Sequence, residues 1–323
     1  MAKDRMMEDP EHSLAIRAAW LHYVGGLRQA EVAKRLGVPS VKAHRLIARA
    51  VAEGAVKVSI EGEIIECIEL ETALSARFGL ETCEVAPDLE EVGLPLRTLG
   101  LAGAGRLRRW MESGEELTIG IGHGRTLAEA VRAMPRFATQ GLRFVSLLGG
   151  LTRNFAANPH DVMHMLAEKT GAKAYVMPVP FFANTAEDRE VLLSQRGVAE
   201  VFQLAQSAPL KIVGIGTVEA ETQLVTSGMI EPSEIEAIAR AGGVGEMLGH
   251  FFDRDGNALE TPLTSRTLAV ALPEAGPIGA TRDRIIALAG GPEKIEPLRA
   301  VLKSGRLSGL ITDERTAKAL LHK

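Results

Sequence analysis

The chain has 323 residues, 46% of them apolar and 24% charged, with a formal net charge of −4 and two cysteines. That balance belongs to a globular chain long enough for two domains, and it excludes disordered, fibrous and disulfide-stapled classes. Cys67 and Cys83 lack CxxC or Cys/His ligand spacing, no run reaches the roughly 20 uninterrupted apolar residues of a membrane span, and the mixed-charge start lacks a secretory signal, so no metal, no cofactor and a cytoplasmic location are expected.

Charge is unevenly spread along the chain. Residues 12–58 hold Arg17, Arg28, Lys34, Arg35, Lys42, Arg45, Arg49 and Lys57 against Glu31 and Glu53, a net +6 that leaves −10 for the remainder. A compact basic module on an acidic body is the footprint of a nucleic-acid-binding head. Within it, "LAIRAAWLHYVGG" has helical apolar spacing and stops at Gly25 and Gly26. "RQAEVAKRLG" predicts a second helix with Ala30, Val32, Ala33 and Leu36 inward and Gly37 just past its end. "GVPS" reads as a turn, with Pro39 and Ser40 suiting the start of a third helix. That helix, "VKAHRLIARAVAEG", has an inward stripe of Ala43, Leu46, Ile47, Ala50 and Val51. The following "AVKVSIEGEIIECI" predicts two short strands around residues 61–63, a small wing.

Two helices joined by a glycine-containing turn form a helix-turn-helix, whose second helix enters the major groove of DNA. On that helix Lys42 and Arg45 can donate to guanine edges, and Ser40 and His44 can reach base edges or phosphate. Arg49, a turn further on, and Arg28 and Gln29 at the start of the preceding helix are expected on phosphates. The predicted boundary puts this DNA-binding domain at residues 1–66 and a second domain at residues 67–323.

The second domain opens with a helix around residues 68–78. Four apolar runs then end in glycines: "LTIGIGHGRT", "RFVSLLGGL", "LKIVGIGTV" and "RIIALAGG". Short apolar runs separated by helical stretches predict an α/β domain with a mostly parallel, Rossmann-like sheet buried on both faces. Ligands of such sheets bind beyond the carboxyl ends of the strands, where Gly122, Gly149, Gly150 and Gly216 fall. In "IGIGHGRTLAEAVRAMP", Thr126 starts a helix, and its first amides with Arg125 nearby predict an anion site. The stretch is neither GxGxxG nor GxxxxGK[ST], so a small phosphorylated or polyhydroxylated ligand is expected rather than a nucleotide. Arg153 follows the second run, and Lys294 stands at a helix start after "AGGPE". "GEMLGHFFDRDGNAL" supplies Glu246 and His250, with "DRDGNA" a turn too short for a calcium loop. His160 and His164 have i, i+4 spacing but no third ligand, which reads as a helix surface.

Taken together, the helix-turn-helix and the motifs "IGIGHGRTL", "SLLGGL", "GIGTV", "GHFFDRDG" and "LAGGPEKIEPLRAVLKSGRLSGLITDERTAKALL" resemble the SorC/DeoR-type bacterial sugar-responsive transcriptional regulators, over nearly the whole chain. The resemblance implies an effector domain similar to sugar-phosphate isomerases and glucosamine-6-phosphate deaminases but without catalysis, a homodimer or homotetramer, and operator DNA as partner. Carried over by motif, the effector contacts are Gly122, His123, Gly124, Arg125, Thr126, Arg153, Gly216, Glu246 and Lys294. Family members have a hydroxyl residue where this chain has Arg125, preceded here by His123. That departure points to a distinct effector such as a four-carbon polyol or its phosphate. The implied function is a ligand-gated repressor of a polyol operon. A sugar-phosphate isomerase or deaminase with a DNA-binding appendage is the alternative; it needs a general base, for which Glu246 and Asp313 are available.

Overall fold

A computed structural model describes residues 10–56, 64–112, 118–139, 141–152, 162–273 and 284–322. Two compact units emerge, Met1–Gly62 and Glu63–Lys323.

The first unit has three helices, α1 (Pro10–Ala19), α2 (Gln29–Leu36) and α3 (Ser40–Ala52), with one turn of π-helix, Trp20–Val24, continuing α1. That turn closes on Gly25, whose amide donates to the Trp20 carbonyl at 3.0 Å. Small residues let the helices approach closely: Ala15, Ala18, Ala33, Ala43 and Ala50 are buried with Leu46 and Ile47. Gly37 ends α2 at φ 67° and ψ 33°, the left-handed conformation the predicted turn requires. Two residues of the predicted stripes, Ala30 and Val51, are exposed instead. The wing is corrected in part. Residues 57–63 lie outside the described residues, but its second half is helical, because α4 (Ile65–Phe78) already begins at Ile65. The predicted boundary at residue 66 therefore cuts a helix of the second unit.

The second unit continues with β1 (Thr82–Ala86), α5 (Leu96–Glu112), β2 (Thr118–Ile121), α6 (Arg125–Ala133), β3 (Arg143–Leu151), α7 (Met163–Thr170), β4 (Lys173–Pro180), α8 (Ala186–Ser194) and α9 (Arg196–Gln206). Then follow β5 (Leu210–Val213), β6 (Gly216–Thr217), α10 (Gln223–Thr226), α11 (Pro232–Arg240), β7 (Gly243–Met247), β8 (His250–Asp253), β9 (Arg284–Leu288), α12 (Ile295–Lys303), β10 (Gly309–Asp313) and α13 (Glu314–Leu321). Seven strands form one sheet in the order β1-β10-β9-β5-β2-β3-β4, and every neighbouring pair is parallel. Strand β9 illustrates why it is buried on both sides: Ile285 and Ala287 face a core shared with α4, α9, α12 and α13, while Ile286 and Leu288 face one shared with α5, α6 and α7. A second, antiparallel sheet has the order β6-β7-β8. No helix among the described residues is long and apolar enough to cross a membrane.

The strand order fixes where a ligand can sit. From β2 the chain winds outward through β3 to β4, then returns to β5 on the other flank of β2 and winds outward through β9 and β10. The crevice at the carboxyl ends of β2 and β5 is thus the switch point of the sheet, the place where connections diverge and leave the strand ends uncovered.

Candidate functional site

A cavity of about 280 Å³ opens at that switch point, small beside the roughly 300–1,000 Å³ typical of ligand pockets. Its lining comes from the segment after β2 (His123, Gly124, Arg125 and Thr126), the segment after β5 (Gly214, Ile215, Gly216 and Thr217), the end of β9 (Leu288, Ala289 and Gly290), and Glu293 and Lys294. Glu246 and Leu248 enter from the antiparallel sheet, and residues 219 and 221–224 close a further wall.

Helix α6 starts at this cavity without a side-chain cap, its N-cap being Gly124 at φ 133°. Its first-turn amides have no intrahelical acceptor and carry the positive end of the helix dipole, so they are donors for a ligand oxygen. The Thr126 hydroxyl donates to the Leu288 carbonyl at 3.0 Å, which ties α6 to β9 and leaves its lone pairs as acceptors. Arg125 is exposed at the rim.

Glu246 is 6% exposed. It sits on β7 opposite Gly216 of β6, and a Cβ on Gly216 would stand 2.2 Å from its Oε2, so a side chain at residue 216 would displace the carboxyl from this position. Its Oε1 accepts the Gly249 amide at 2.6 Å. That amide belongs to the two-residue loop joining β7 and β8, in which Leu248 (φ 53°) and Gly249 (φ 75°) are both left-handed. Leu248 holds that conformation at a steric cost of about 1–2 kcal/mol, and its side chain lines the cavity. Burial pushes the Glu246 carboxyl up to about 7, against the opposing pull of the Gly249 amide and the Lys294 charge. Burial also lowers the Lys294 ammonium; the Glu246 charge acts the other way, and Arg125 adds to the lowering. The cavity thus pairs a readily neutralised acid with a desolvated amine, a constellation suited to hydroxyl and phosphate oxygens.

The structure brings together His123, Gly124, Arg125, Thr126, Gly216, Glu246 and Lys294. It does not bring Gly122, Gly149 or Gly150 to the cavity. Gly122 is buried and its amide donates to the Ile212 carbonyl at 2.8 Å, joining β2 to β5. Gly149 lies inside β3, where a Cβ would fall 2.1 Å from the Pro180 carbonyl oxygen, and Gly150 is the next residue of that strand. At Gly149 the missing side chain serves the close packing of β3 on β4. Arg153 and His160 lie outside the described residues; His164 is exposed on α7. His250 is half-buried, its Nε2 3.3 Å from the Val270 carbonyl, and desolvation lowers its pKa. Asp253 accepts the amides of Asp255 and Asn257, closing the "DRDGNA" turn. Residues 219 and 221–224 were not legible as a wall: they lie in a polar stretch after a strand of only two residues, with no periodicity to mark them.

In the first unit, Arg28, Gln29, Ser40, Lys42, His44 and Arg45 are all exposed. Ser40, Lys42, His44 and Arg45 lie in the first half of α3, exposed around its buried Ala43, Leu46 and Ile47. Arg28 caps α2, its amide donating to Glu31 at 2.7 Å. Arg49 differs. It forms ion pairs with Glu53 at 2.6 Å and Glu11 at 3.4 Å, which the other basic residues of this face do not show among the described residues.

The sugar-binding domain family ("Sugar-bind") matches residues 62–322. The chain is 67% identical over 315 residues to the erythritol catabolism regulatory protein EryD of Brucella abortus (strain 2308), covering 98% of each. It is 31% identical over 315 residues to the transcriptional regulator LsrR of Klebsiella pneumoniae, covering 96% of this chain and 93% of that one. Among solved structures, the full-length sorbitol operon regulator SorC from Klebsiella pneumoniae is similar with a TM-score of 0.68 at 23% identity, over 97% of this chain and 100% of that one, a likeness of fold.

Proposed function

The chain belongs to the SorC/DeoR family of sugar-binding transcriptional regulators, and from that premise we propose that it is a DNA-binding repressor of an erythritol-catabolic operon, gated by a small polyol or polyol phosphate. The relatives it matches over nearly their full length are regulators and not enzymes. Its site is read accordingly as one that binds and does not turn over. One observation carries the reading: an exposed basic helix face and a polar cavity at the sheet's switch point occur on one chain that is 67% identical, end to end, to a regulator of erythritol catabolism.

In this reading, Lys42 and Arg45 donate to base edges in the major groove, with Ser40 and His44 beside them, while Arg28 and Gln29 hold phosphates. The protein acts in the cytoplasm as a homo-oligomer on operator DNA. The effector is held by the first amides of α6, by Arg125 and Thr126, and by the Glu246–Lys294 pair. Binding of the effector favours the state of the body that releases DNA. The test is fluorescence anisotropy of the full-length protein on a duplex from its own upstream region, titrated with erythritol and with erythritol 4-phosphate. Retention of operator binding at saturating concentrations of both compounds contradicts the proposal.

A further inference from the structure

We propose that Gln223 is a specificity-determining residue of this cavity, donating its side-chain amide to an uncharged oxygen of the effector. The inference rests on reading the cavity as the effector site, and it adds a residue that no motif of the chain pointed to.

Gln223 opens the short helix α10, and the fold holds its backbone firmly. Leu224, the next residue, is 3% exposed in the main core of the second unit. The Gln223 carbonyl accepts both the amide and the hydroxyl of Ser227, at 3.0 and 2.5 Å. With the backbone fixed, the side chain lines the cavity. Its Nε2 is shielded from solvent, and among the described residues no acceptor meets it. A shielded amide donor without an acceptor is a standing cost to the folded state, and native proteins rarely keep one without a functional reason. Rotated toward the cavity that the residue lines, this amide would meet a ligand oxygen as its acceptor.

The surroundings say which kind of oxygen. Glu219 and Glu221 line the same wall. On a wall that already carries these carboxylates, the neutral amide donor matches a hydroxyl or carbonyl oxygen of the ligand. Any charged group of a ligand belongs instead with Arg125, Lys294 and the first amides of α6. Gln223 therefore reads hydroxylation, and a ligand lacking an oxygen at that place leaves the donor unpaired.

The experiment is isothermal titration of full-length protein with erythritol and with erythritol 4-phosphate, alongside thermal unfolding without ligand. Gln223→Met, of similar length but without the donor, is expected to weaken erythritol binding roughly tenfold while the ligand-free melting midpoint stays level or rises. Gln223→Glu, which keeps the shape and replaces donor by acceptor, is expected to weaken it as well. Wild-type affinity in both variants overturns the inference, as does a lowered melting midpoint with unchanged affinity, the mark of a merely structural glutamine. A loss confined to erythritol 4-phosphate overturns the assignment to an uncharged oxygen. Lys294→Ala separates the two levels. If it weakens binding while the Gln223 variants do not, the Gln223 inference alone falls. If none of the three matters, or the wild-type protein binds neither compound, the cavity reading falls with it.

Discussion

Taking the Glu246 carboxylate out of water raises its pKa from 4.5 to about 7, and a raised acid pKa has a definite sign for stability. The folded state then holds its proton more tightly than the unfolded state, so folding is unburdened below pH 4.5. The burden grows as pH rises toward 7 and is constant above. Glu246→Gln removes the titration. We expect the variant to match the wild type near pH 4.5 and to exceed it at pH 8 by on the order of 1–3 kcal/mol, measured by urea unfolding across that range. Parallel profiles would mean that Lys294 keeps the group ionised throughout. In the basic unit, Arg45 and Arg49 make a contrasting pair. Arg45 is exposed on α3, so Arg45→Ala should lose about 1–3 kcal/mol of specific operator affinity with an unchanged melting curve. Arg49 is already paired with Glu53 and Glu11, so Arg49→Ala should leave the salt dependence of DNA binding unaltered. A slope reduced by about one unit would return Arg49 to the phosphate contacts.

Elements differed in how legibly the sequence announced them, and the reasons are physical. The three helices of the first unit carry strong 3.6-residue periodicity with a glycine that must be left-handed at Gly37, and all three stand where that pattern puts them. Strands β2, β3, β5 and β9 are apolar runs buried on both faces and were equally plain. Strand β1 is half-buried at the sheet edge, and β4 at the other edge carries Pro178 and Pro180 in its second half, residues that argue against a strand. The second half of the wing failed because "IIECIELE" has β-branched residues that favour a strand locally, while burial of Cys67 and Leu74 favours a helix, and packing overrode propensity. Of the site, the segments after β2 and β5 were readable from glycines and a helix start. The Gln223 wall was not, because it depends on tertiary closure. Gly149 tests the distinction between ligand glycines and packing glycines. Its Cβ would meet backbone of Pro180 and Val179 at 2.1–2.6 Å, so Gly149→Ala should destabilise the protein by about 1–3 kcal/mol, read by urea unfolding, with erythritol affinity of the folded protein intact. A variant of normal stability that loses erythritol binding would bring β3 back to the site.

At the scale of the whole molecule, the basic face and the cavity belong to different compact units, Met1–Gly62 and Glu63–Lys323. A ligand in one can alter DNA binding by the other only through its different affinities for two states of the chain. Such coupling is reciprocal: if erythritol lowers operator affinity by some factor, operator DNA must lower erythritol affinity by the same factor, within the roughly 5–150-fold range common for linked sites. Removing an anchor of the effector should therefore act on both measurements together. Lys294 lines the cavity and interacts electrostatically with Glu246 and Arg125, far along the chain from α3. We expect Lys294→Ala to bind the operator as the wild type does without effector, and to show a smaller erythritol response. Its erythritol titrations with and without operator duplex should differ by that same reduced factor. The comparison needs two instruments, anisotropy of the labelled duplex and calorimetry of the polyol, and the two factors must agree for each protein. A Lys294→Ala protein that keeps the wild-type factor in both would show that the Glu246–Lys294 pair does not carry the effector. A variant with weakened operator binding in the absence of polyol would show that Lys294 holds the DNA-binding state itself, and the cavity would then act as part of the switch and not only as its sensor.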